Sequence, residues 1–391
     1  MDSYFAVAAP GLEAFTLREL EELGLLPPKD DGLGRSSQEE ATGSHSLEAG
    51  GVTFKGSRAD LYRANLHLRT ASRILARLGH FFYATTFAEL EKRSSNLPWE
   101  RFLSPGQPVS LRVTCHKSKL YHSDGVARTV AAGMAMRLGK PSPVSAPDDG
   151  SRQPAQLIIV RLAEDRCTIS VDSSGTLLHK RGYRQALAKA PLRETLAAGL
   201  LMASGWDRHS PLLDPFCGSG TIPIEAALMA AGIPPGLHRG FAFMDWPDYD
   251  ANLWQALLRQ VPNEGQPMAL IQGSDRDEGA VRMAAANAER AGVAEWIELK
   301  PRAVSAIEPP AGTGWVVTNP PYGERVSRGK DLRDLYAQFG NILREKCSGW
   351  NLCVLCSDPI LLGQLQMDLD VSLRLNNGGI RVRAARGKVS G

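Results

Sequence analysis

The stretch Leu213-Asp214-Pro215-Phe216-Cys217-Gly218-Ser219-Gly220-Thr221 decides how this chain folds. Leu212 and Leu213 read as a short apolar strand ending at Asp214, and Thr221 to Ala231 reads as a helix, so two glycines occupy the turn between them. Glycine lets a backbone approach a ligand closely and leaves the N–H groups of the helix start pointing at it, which suits a nucleotide-like ligand. Tight strand-to-helix turns without a ligand use glycine too. Pro223 stands where the third glycine of a G-x-G-x-x-G dinucleotide fingerprint belongs, and no Gly-Lys-Ser/Thr follows, which excludes a Walker-type phosphate cradle.

Outward from this turn, the chain beyond about residue 190 alternates strands and helices. Ala269-Leu270-Ile271, Trp315-Val316-Val317 and Leu352 to Leu355 read as strands; Glu278 to Ala291 and Leu332 to Cys347 read as helices. That rhythm predicts an α/β unit with a mostly parallel sheet. Asn376-Asn377-Gly378-Gly379 lies between two alternating runs within Val371 to Arg383 and predicts a hairpin at a sheet edge. Asp275 ends Gly273-Ser274-Asp275, where a carboxylate can accept both hydroxyl protons of a ribose or else cap the helix near Glu278. Thr318-Asn319-Pro320-Pro321-Tyr322-Gly323 follows the next strand. Two prolines fix the backbone so that the Asn319 side-chain oxygen and the Pro320 carbonyl form a rigid acceptor pair for an exocyclic amine, with Tyr322 placed to stack on its base.

The first half predicts an α+β arrangement. A strand over Tyr4 to Ala8 and a helix from about Leu12 to Leu25 precede residues 27–50, which are rich in Gly, Ser, Pro and acid and read as a mobile surface loop. After a strand at Val52-Thr53-Phe54, Leu61, Ala64, Leu68, Ala71 and Leu75 suggest one basic helix with Arg58, Arg63, Arg69, Arg73 and Arg77 on its other faces. Val109, Leu111 and Val113 alternate as a strand, Val126 to Leu138 is amphipathic, Pro141 to Pro154 reads as a loop, and Leu157 to Leu162 with Cys167 to Asp172 reads as a hairpin around Glu164-Asp165.

Composition excludes several classes. With 391 residues, 43% hydrophobic and 22% charged, the chain can bury large cores, so disorder and collagen-like structure are out. No apolar run approaches the roughly 20 residues that span a bilayer, and the start lacks a signal-peptide pattern, so a soluble, cytoplasmic protein is expected. Six scattered cysteines make no disulfide scaffold. Cys353-x-x-Cys356 lies in a strand, points to both faces and lacks completing ligands, and the histidines show no metal spacing, so no metal is expected. The net charge of +3 conceals an asymmetry: residues 51–200 hold 23 Lys/Arg against 11 Asp/Glu, whereas residues 1–50 hold 3 against 10. Positive charge in the middle of the chain predicts contact with a polyanion.

Asp214 to Thr221 together with Asn319 to Tyr322 resembles class I S-adenosylmethionine (SAM) methyltransferases that modify exocyclic amines. More narrowly, His179-Lys180-Arg181-Gly182-Tyr183-Arg184, Pro191-Leu192-Arg193-Glu194-Thr195-Leu196-Ala197, Pro235-Gly236-Leu237-His238-Arg239 and Asn319 to Arg325 resemble the bacterial THUMP-domain 23S ribosomal RNA guanine-N2 methyltransferases of the RlmL type. The resemblance spans essentially the whole chain. It implies a ferredoxin-like domain over 1–68, a THUMP RNA-binding domain over 69–172, a linker over 173–189 and, over 190–391, a Rossmann-like catalytic domain with a seven-stranded, mostly parallel sheet. It also implies SAM as cofactor, and as target the N2 amine of guanosine 2445 in 23S ribosomal RNA.

Carried over by position, the resemblance makes Gly218, Ser219 and Gly220 the SAM-binding turn, Asp214 its anchor, Asp275 the ribose partner and Asn319 the amine-binding residue. Lys189-Ala190-Pro191 matches a stretch that closes over SAM. Relatives usually place an acidic residue after the third strand to meet the adenine amino group. Arg302 stands there in this chain, so either the Ala303 backbone takes that role or adenine is held more loosely. Two clusters of cations and aromatics are expected on RNA phosphates and unpaired bases: Lys117, Lys119, Tyr121 and His122, and Lys180, Arg181, Tyr183 and Arg184. Three other readings stay open: an N6-adenine methyltransferase, a tRNA guanine-N2 methyltransferase, and an RNA-binding or chaperone protein with an inactive catalytic domain.

Overall fold

The computed structural model describes residues 1–26, 45–145, 155–184, 192–261, 269–322 and 331–391. The N-terminal unit runs β1 (Asp2–Ala8), α1 (Glu13–Glu22), β2 (His45–Glu48), β3 (Gly51–Gly56), α2 (Arg58–His67) and β4 (Ala71–Arg77). Its sheet order β2-β3-β1-β4 with antiparallel pairs is the ferredoxin-like arrangement. The THUMP unit adds β5 (Phe82–Tyr83), α3 (Phe87–Ser95), β6 (Val109–His116), α4 (Ser123–Leu138), β7 (Gln156–Ala163) and β8 (Arg166–Asp172). Because β8 pairs with β4, the two units share one eight-stranded sheet. β4 completes the ferredoxin-like unit, so the structural divide falls after Arg77 rather than at residue 68.

Two sequence expectations are corrected here. The basic helix does not continue to Leu75. A capping box between Ser57 and Asp60 starts α2, which ends at His67, and the chain then enters β4 between β1 and β8. The helical spacing of the apolar residues runs on past the end of α2, but pairing with β1 on one edge and β8 on the other makes the segment a strand. Residues 45–48, expected within a loop, pair with β3 as an edge strand.

The catalytic unit comprises α5 (Glu194–Ser204), β9 (Leu212–Asp214), α6 (Thr221–Ala230), α7 (Ala251–Arg259), β10 (Ile271–Asp275), α8 (Glu278–Arg290), β11 (Ile297–Pro301), β12 (Trp315–Thr318), α9 (Arg333–Lys346), β13 (Asn351–Cys356), α10 (Pro359–Gln364), β14 (Asp370–Asn377) and β15 (Ile380–Lys388). The sheet order is β11-β10-β9-β12-β13-β15-β14, parallel from β11 to β13 and antiparallel at β15 and β14. The β14–β15 hairpin turns on Gly378-Gly379, both at positive φ, and forms the expected edge. β10 begins two residues later than expected and runs to Asp275. Cys353 and Cys356 are buried in β13 as core residues.

The units exchange core residues. Phe241, Phe243, Trp246, Trp254 and Leu257, from the catalytic part of the sequence, pack in the core of the N-terminal sheet, with Phe243 stacked on Tyr62 at 4.3 Å between ring centroids. In the other direction, Leu12 joins the catalytic core. A Cβ on Gly199 would come within 2.4 Å of a Leu12 methyl, so the close approach of α5 requires glycine there.

Candidate active site

The site lies at the C-terminal ends of the parallel strands, where the order reverses between β10-β9 and β12, the crevice that open α/β sheets use for ligands. A cleft of about 1480 Å³ opens there, lined by Asp214 to Ser219, Asp275, Ala303, Asn319 to Tyr322 and residues of the 176–184 segment. Residues predicted from three distant stretches thus meet in one cavity.

Asp214 ends β9 and is buried. Its Oδ1 accepts from Thr318 Oγ1 at 2.6 Å and from the Phe216 N–H at 3.2 Å, tying the tips of β9 and β12 together. Burial pushes its carboxyl up to about 7, the Thr318 hydrogen bond opposes this, and nearby Asp275 adds to it. Gly218 and Gly220 take φ of 52° and 82°. A Cβ on Gly220 would sit 2.9 Å from Ala284 Cβ, whereas one on Gly218 would meet nothing within 4 Å and would project into open space. Gly220 is therefore required by packing of α6 on α8 as well as by its φ, and Gly218 leaves the turn bare.

Asp275 Oδ2 accepts from the Gly218 N–H at 3.1 Å, and its Oδ1 accepts from the Asp277 N–H at 2.9 Å. The helix-capping role belongs to Asp277, whose Oδ1 accepts from Gly279 and Ala280 N–H. Asp275 is thus left at the strand end facing the glycine turn. Arg302 turns away and pairs with Glu308 at 2.7 Å, while its N–H donates to the Asp275 carbonyl. Ala303, Val304 and Ser305 present the wall of the cleft beyond β11.

Asn319 Oδ1 is buried and has no hydrogen-bond partner among the described residues, an arrangement costly enough to call for a ligand donor. The loop that carries it is braced from two sides. Tyr336 Oη on α9 donates to the Pro321 carbonyl at 3.3 Å, and Asn377 Nδ2 on β14 donates to Tyr322 Oη at 2.9 Å. Thr318, Tyr336 and Asn377 escaped the sequence reading because their role depends on contacts 15 to 104 residues away. Lys189, Ala190 and Pro191, and the motif beyond Tyr322, lie outside the described residues.

The second cation cluster is corrected. Arg181 is buried with Glu225 at 3.4 Å and donates to the carbonyls of Leu178 and Arg69. Tyr183 is buried and its Oη donates to Glu225 Oε1 at 3.2 Å. Arg184 reaches Thr221 Oγ1, the Leu192 carbonyl and Glu194. These side chains pin the linker between the N-terminal unit and α6, so only Lys180 of the cluster is exposed for phosphate contact. Arg239, in the motif at 235–239, donates to the carbonyls of Ser174, Thr176, Leu177 and Lys180 and clasps the same segment. The first cluster is outward: Lys117, Lys119, Tyr121 and His122 are exposed, with Tyr121 69% accessible and its loop held by the Lys119 N–H on Asp165 at 2.7 Å.

A seven-stranded sheet with a reversed final hairpin, a glycine turn facing a carboxylate and an Asn-Pro-Pro-Tyr loop, joined to a THUMP unit, defines a SAM-dependent RNA methyltransferase of the class I fold. The chain belongs to the family described as RMKL-like, methyltransferase domain, which matches residues 181–384. The RlmL ferredoxin-like domain matches residues 42–75 and the THUMP domain residues 84–172. A candidate RNA methyltransferase of Synechocystis sp. is 35% identical over 385 residues, covering 96% of this chain and 94% of that protein. The crystal structure of SMU.472 complexed with S-adenosylhomocysteine (SAH) aligns with a TM-score of 0.82 at 29% identity, over 100% of this chain and 98% of its own. A predicted N6-adenine-specific DNA methylase from Listeria monocytogenes aligns with a TM-score of 0.81 at 29% identity, over 98% of this chain and 95% of its own.

The residues present fit the cofactor of this class. The Gly218 turn, open because a Cβ there would meet nothing, the Asp275 carboxylate at the strand end and the backbone at Ala303 offer room for close approach, a hydroxyl acceptor and a base-edge wall in one cleft. Helical capping of Asp277, not Asp275, leaves that carboxylate available.

Proposed function

We propose that the protein methylates the exocyclic N2 amine of a guanosine in structured RNA, with 23S ribosomal RNA as substrate and guanosine 2445 as the site. The observation that carries this reading is the buried Asn319 Oδ1, without a hydrogen-bond partner among the described residues, in a cleft also lined by the glycine turn. When bound, SAM supplies an electrophilic methyl group. The chain itself contributes position. Asn319 Oδ1 and the Pro320 carbonyl accept the two amine protons, drawing the nitrogen toward tetrahedral geometry and turning its lone pair into the cleft. Alignment of this kind is worth roughly 7 to 11 kcal/mol of a barrier. Tyr322 lines the cleft with its hydroxyl fixed by Asn377, so its ring is held for stacking on a flipped base, about 1 to 3 kcal/mol by the scale of single-strand binders. His179, at the cleft wall, is pushed down to about 4 by burial and by Arg193 and Arg181 beside it, so it is neutral near pH 7. The amine proton leaves to water after transfer.

The THUMP match and the RNA methyltransferase relative support RNA as substrate, and guanine is proposed on the resemblance of the motifs at 179–184, 191–197 and 235–239. N6 methylation of adenine is the second reading, since the same acceptor pair suits that amine and a structural relative carries that name. Incubation with 23S ribosomal RNA and SAM, followed by nucleoside mass spectrometry, separates them: N2-methylguanosine is expected, and N6-methyladenosine instead would replace the first reading by the second. Asn319→Ala is expected to lower transfer by about 100-fold or more, the scale of one aligned hydrogen-bonding group at a transition state, with SAM affinity nearly unchanged. Asp275→Ala is expected to weaken SAM by about 10-fold or more, the worth of a charge-assisted hydrogen bond. The reverse pattern would overturn the roles.

A further inference from the structure

The β14–β15 hairpin carries positive charge that its own surroundings leave unanswered. Register sets Arg374 directly opposite Arg383 and Asn376 directly opposite Arg381, and alternate residues of a strand share a face, so the three arginines stand together on one side of the hairpin. Leu375 and Val382 belong to the other side, in the catalytic core. Arg374 and Arg381 are exposed and Arg383 is half-buried. Among the described residues, none of the three pairs with a carboxylate or donates a side-chain hydrogen bond. Asn376, on the same face, uses its Oδ1 on the Gly379 N–H at 2.8 Å. Arg386 of the same hairpin is satisfied, by Asp370 and the Ala203 carbonyl. Like charges directly opposite each other in a sheet are destabilising, and here no acid relieves them. The hairpin is also firmly held. Asn377, Gly378 and Ile380 at its tip line the cleft, and Asn377 fixes the Tyr322 hydroxyl. Where it meets the N-terminal unit, a Cβ on Gly11 would come within 2.1 Å of the Arg374 carbonyl oxygen. Glu13, beside that turn, is taken by the Gly11 and Gly50 N–H groups.

We propose that Arg374, Arg381 and Arg383 form a phosphate-binding strip that grips the RNA strand beside the target nucleotide. This rests on the reading that the cleft receives a nucleotide of structured RNA. Chemistry selects the occupant. Guanidinium forks match the free oxygens of a phosphate, and a row of mutually repelling guanidiniums is neutralised by a strand that carries a negative charge at every nucleotide. A base reaches an amine-binding site inside a cleft only when it is drawn out of its stack, which requires the backbone beside it to be held. Arg381 directly follows Ile380 of the cleft wall, so the strip begins where that backbone must pass.

The test compares two triple variants with the unmodified protein on a 23S ribosomal RNA transcript spanning guanosine 2445. Arg374→Gln with Arg381→Gln and Arg383→Gln removes the charge; Lys at the same three positions keeps it. In filter binding, the Gln variant is expected to flatten the log–log salt dependence by roughly 2 to 3, which is about 0.7 to 0.9 for each of three contacts, and the Lys variant to keep most of the slope. KM for the transcript is expected to rise about 10-fold or more with kcat within about threefold, the pattern of binding lost equally from ground and transition states. SAH affinity by isothermal titration and Tm are expected to stay nearly unchanged, which reports a folded hairpin. A slope within about 0.5 of the unmodified protein would overturn the proposal and leave the strip to an acidic protein partner. A fall in kcat and SAH affinity with the slope unchanged would overturn it too, making the arginines structural. If the Gln variant loses slope but the unmodified protein forms no N2-methylguanosine, the guanosine reading fails and the strip stands; if binding by the unmodified protein is insensitive to salt, the strip falls whichever base is methylated.

Discussion

Arg181 separates a structural from an RNA-contacting role for the linker motif. Its guanidinium lies against Glu225, whose side chain has no exposure, and it donates to the Arg69 and Leu178 carbonyls at 2.6 and 2.7 Å. Arg181→Ala leaves the Glu225 carboxylate buried with the Tyr183 hydroxyl as its remaining donor at 3.2 Å, and strips two carbonyls of a partner. Removing one member of a buried pair costs about 3–5 kcal/mol. In a cooperative unit of about 200 residues, 1 kcal/mol moves Tm by about 2–4 °C, so a fall of about 6–20 °C is expected in differential scanning calorimetry. Replacing both partners, as in Arg181→Met with Glu225→Leu, should recover most of that loss, because the uncompensated charge is gone. A melting temperature within about 2 °C of the unmodified protein, combined with weaker RNA binding and a shallower salt dependence, would refute the argument and make Arg181 a phosphate contact.

Two further expectations concern the RNA surface and pH. Lys117→Ala with Lys119→Ala should weaken binding to ribosomal RNA fragments and flatten the log–log salt dependence by roughly 0.7 to 0.9 per lost phosphate contact, leaving SAM affinity intact; an unchanged slope measured by filter binding would remove this loop from the interface. Asp214 has its folded-state pKa raised to about 7 from 3.8 by burial, so the folded protein holds a proton there that the unfolded chain releases. That contribution is full below about pH 4 and is lost as pH rises to about 7. Asp214→Asn should therefore melt with less dependence on pH across that window; identical pH profiles for the two proteins would show that Asp214 does not titrate this way.

The local chemistry of the catalytic half was legible because it is written in contiguous residues. A glycine pair at a strand-to-helix turn, an aspartate at a strand end and two prolines after an asparagine each constrain backbone or side-chain chemistry within a few positions. The alternation of strands and helices then predicts the crevice where they gather. The first half was harder to read for a specific reason: Leu61, Ala64, Leu68, Ala71 and Leu75 keep a helical spacing that runs past the end of α2 at His67 and into β4. Only pairing of β4 with β1 and β8 resolves that ambiguity.

What the sequence determined by itself is the parallel-sheet architecture, the glycine turn and the rigid Asn-Pro-Pro-Tyr loop, since steric freedom at glycine, rigidity at proline and hydrophobic period act locally. The tertiary structure decided the use of the charges. Composition counts 23 Lys/Arg between residues 51 and 200, yet Arg73 is spent on buried Asp172, Arg69 on the carbonyls of Leu228 and Ile233, and Arg181 on Glu225. It also decided that Asp277 rather than Asp275 caps α8, and that Pro321 and Tyr322 are held by Tyr336 and Asn377 from elements far along the chain. An arginine at the surface and an arginine in an interdomain joint have the same formula; whether its partner is solvent, RNA or a buried carboxylate depends on which distant segment folds against it, and that is set by long-range packing.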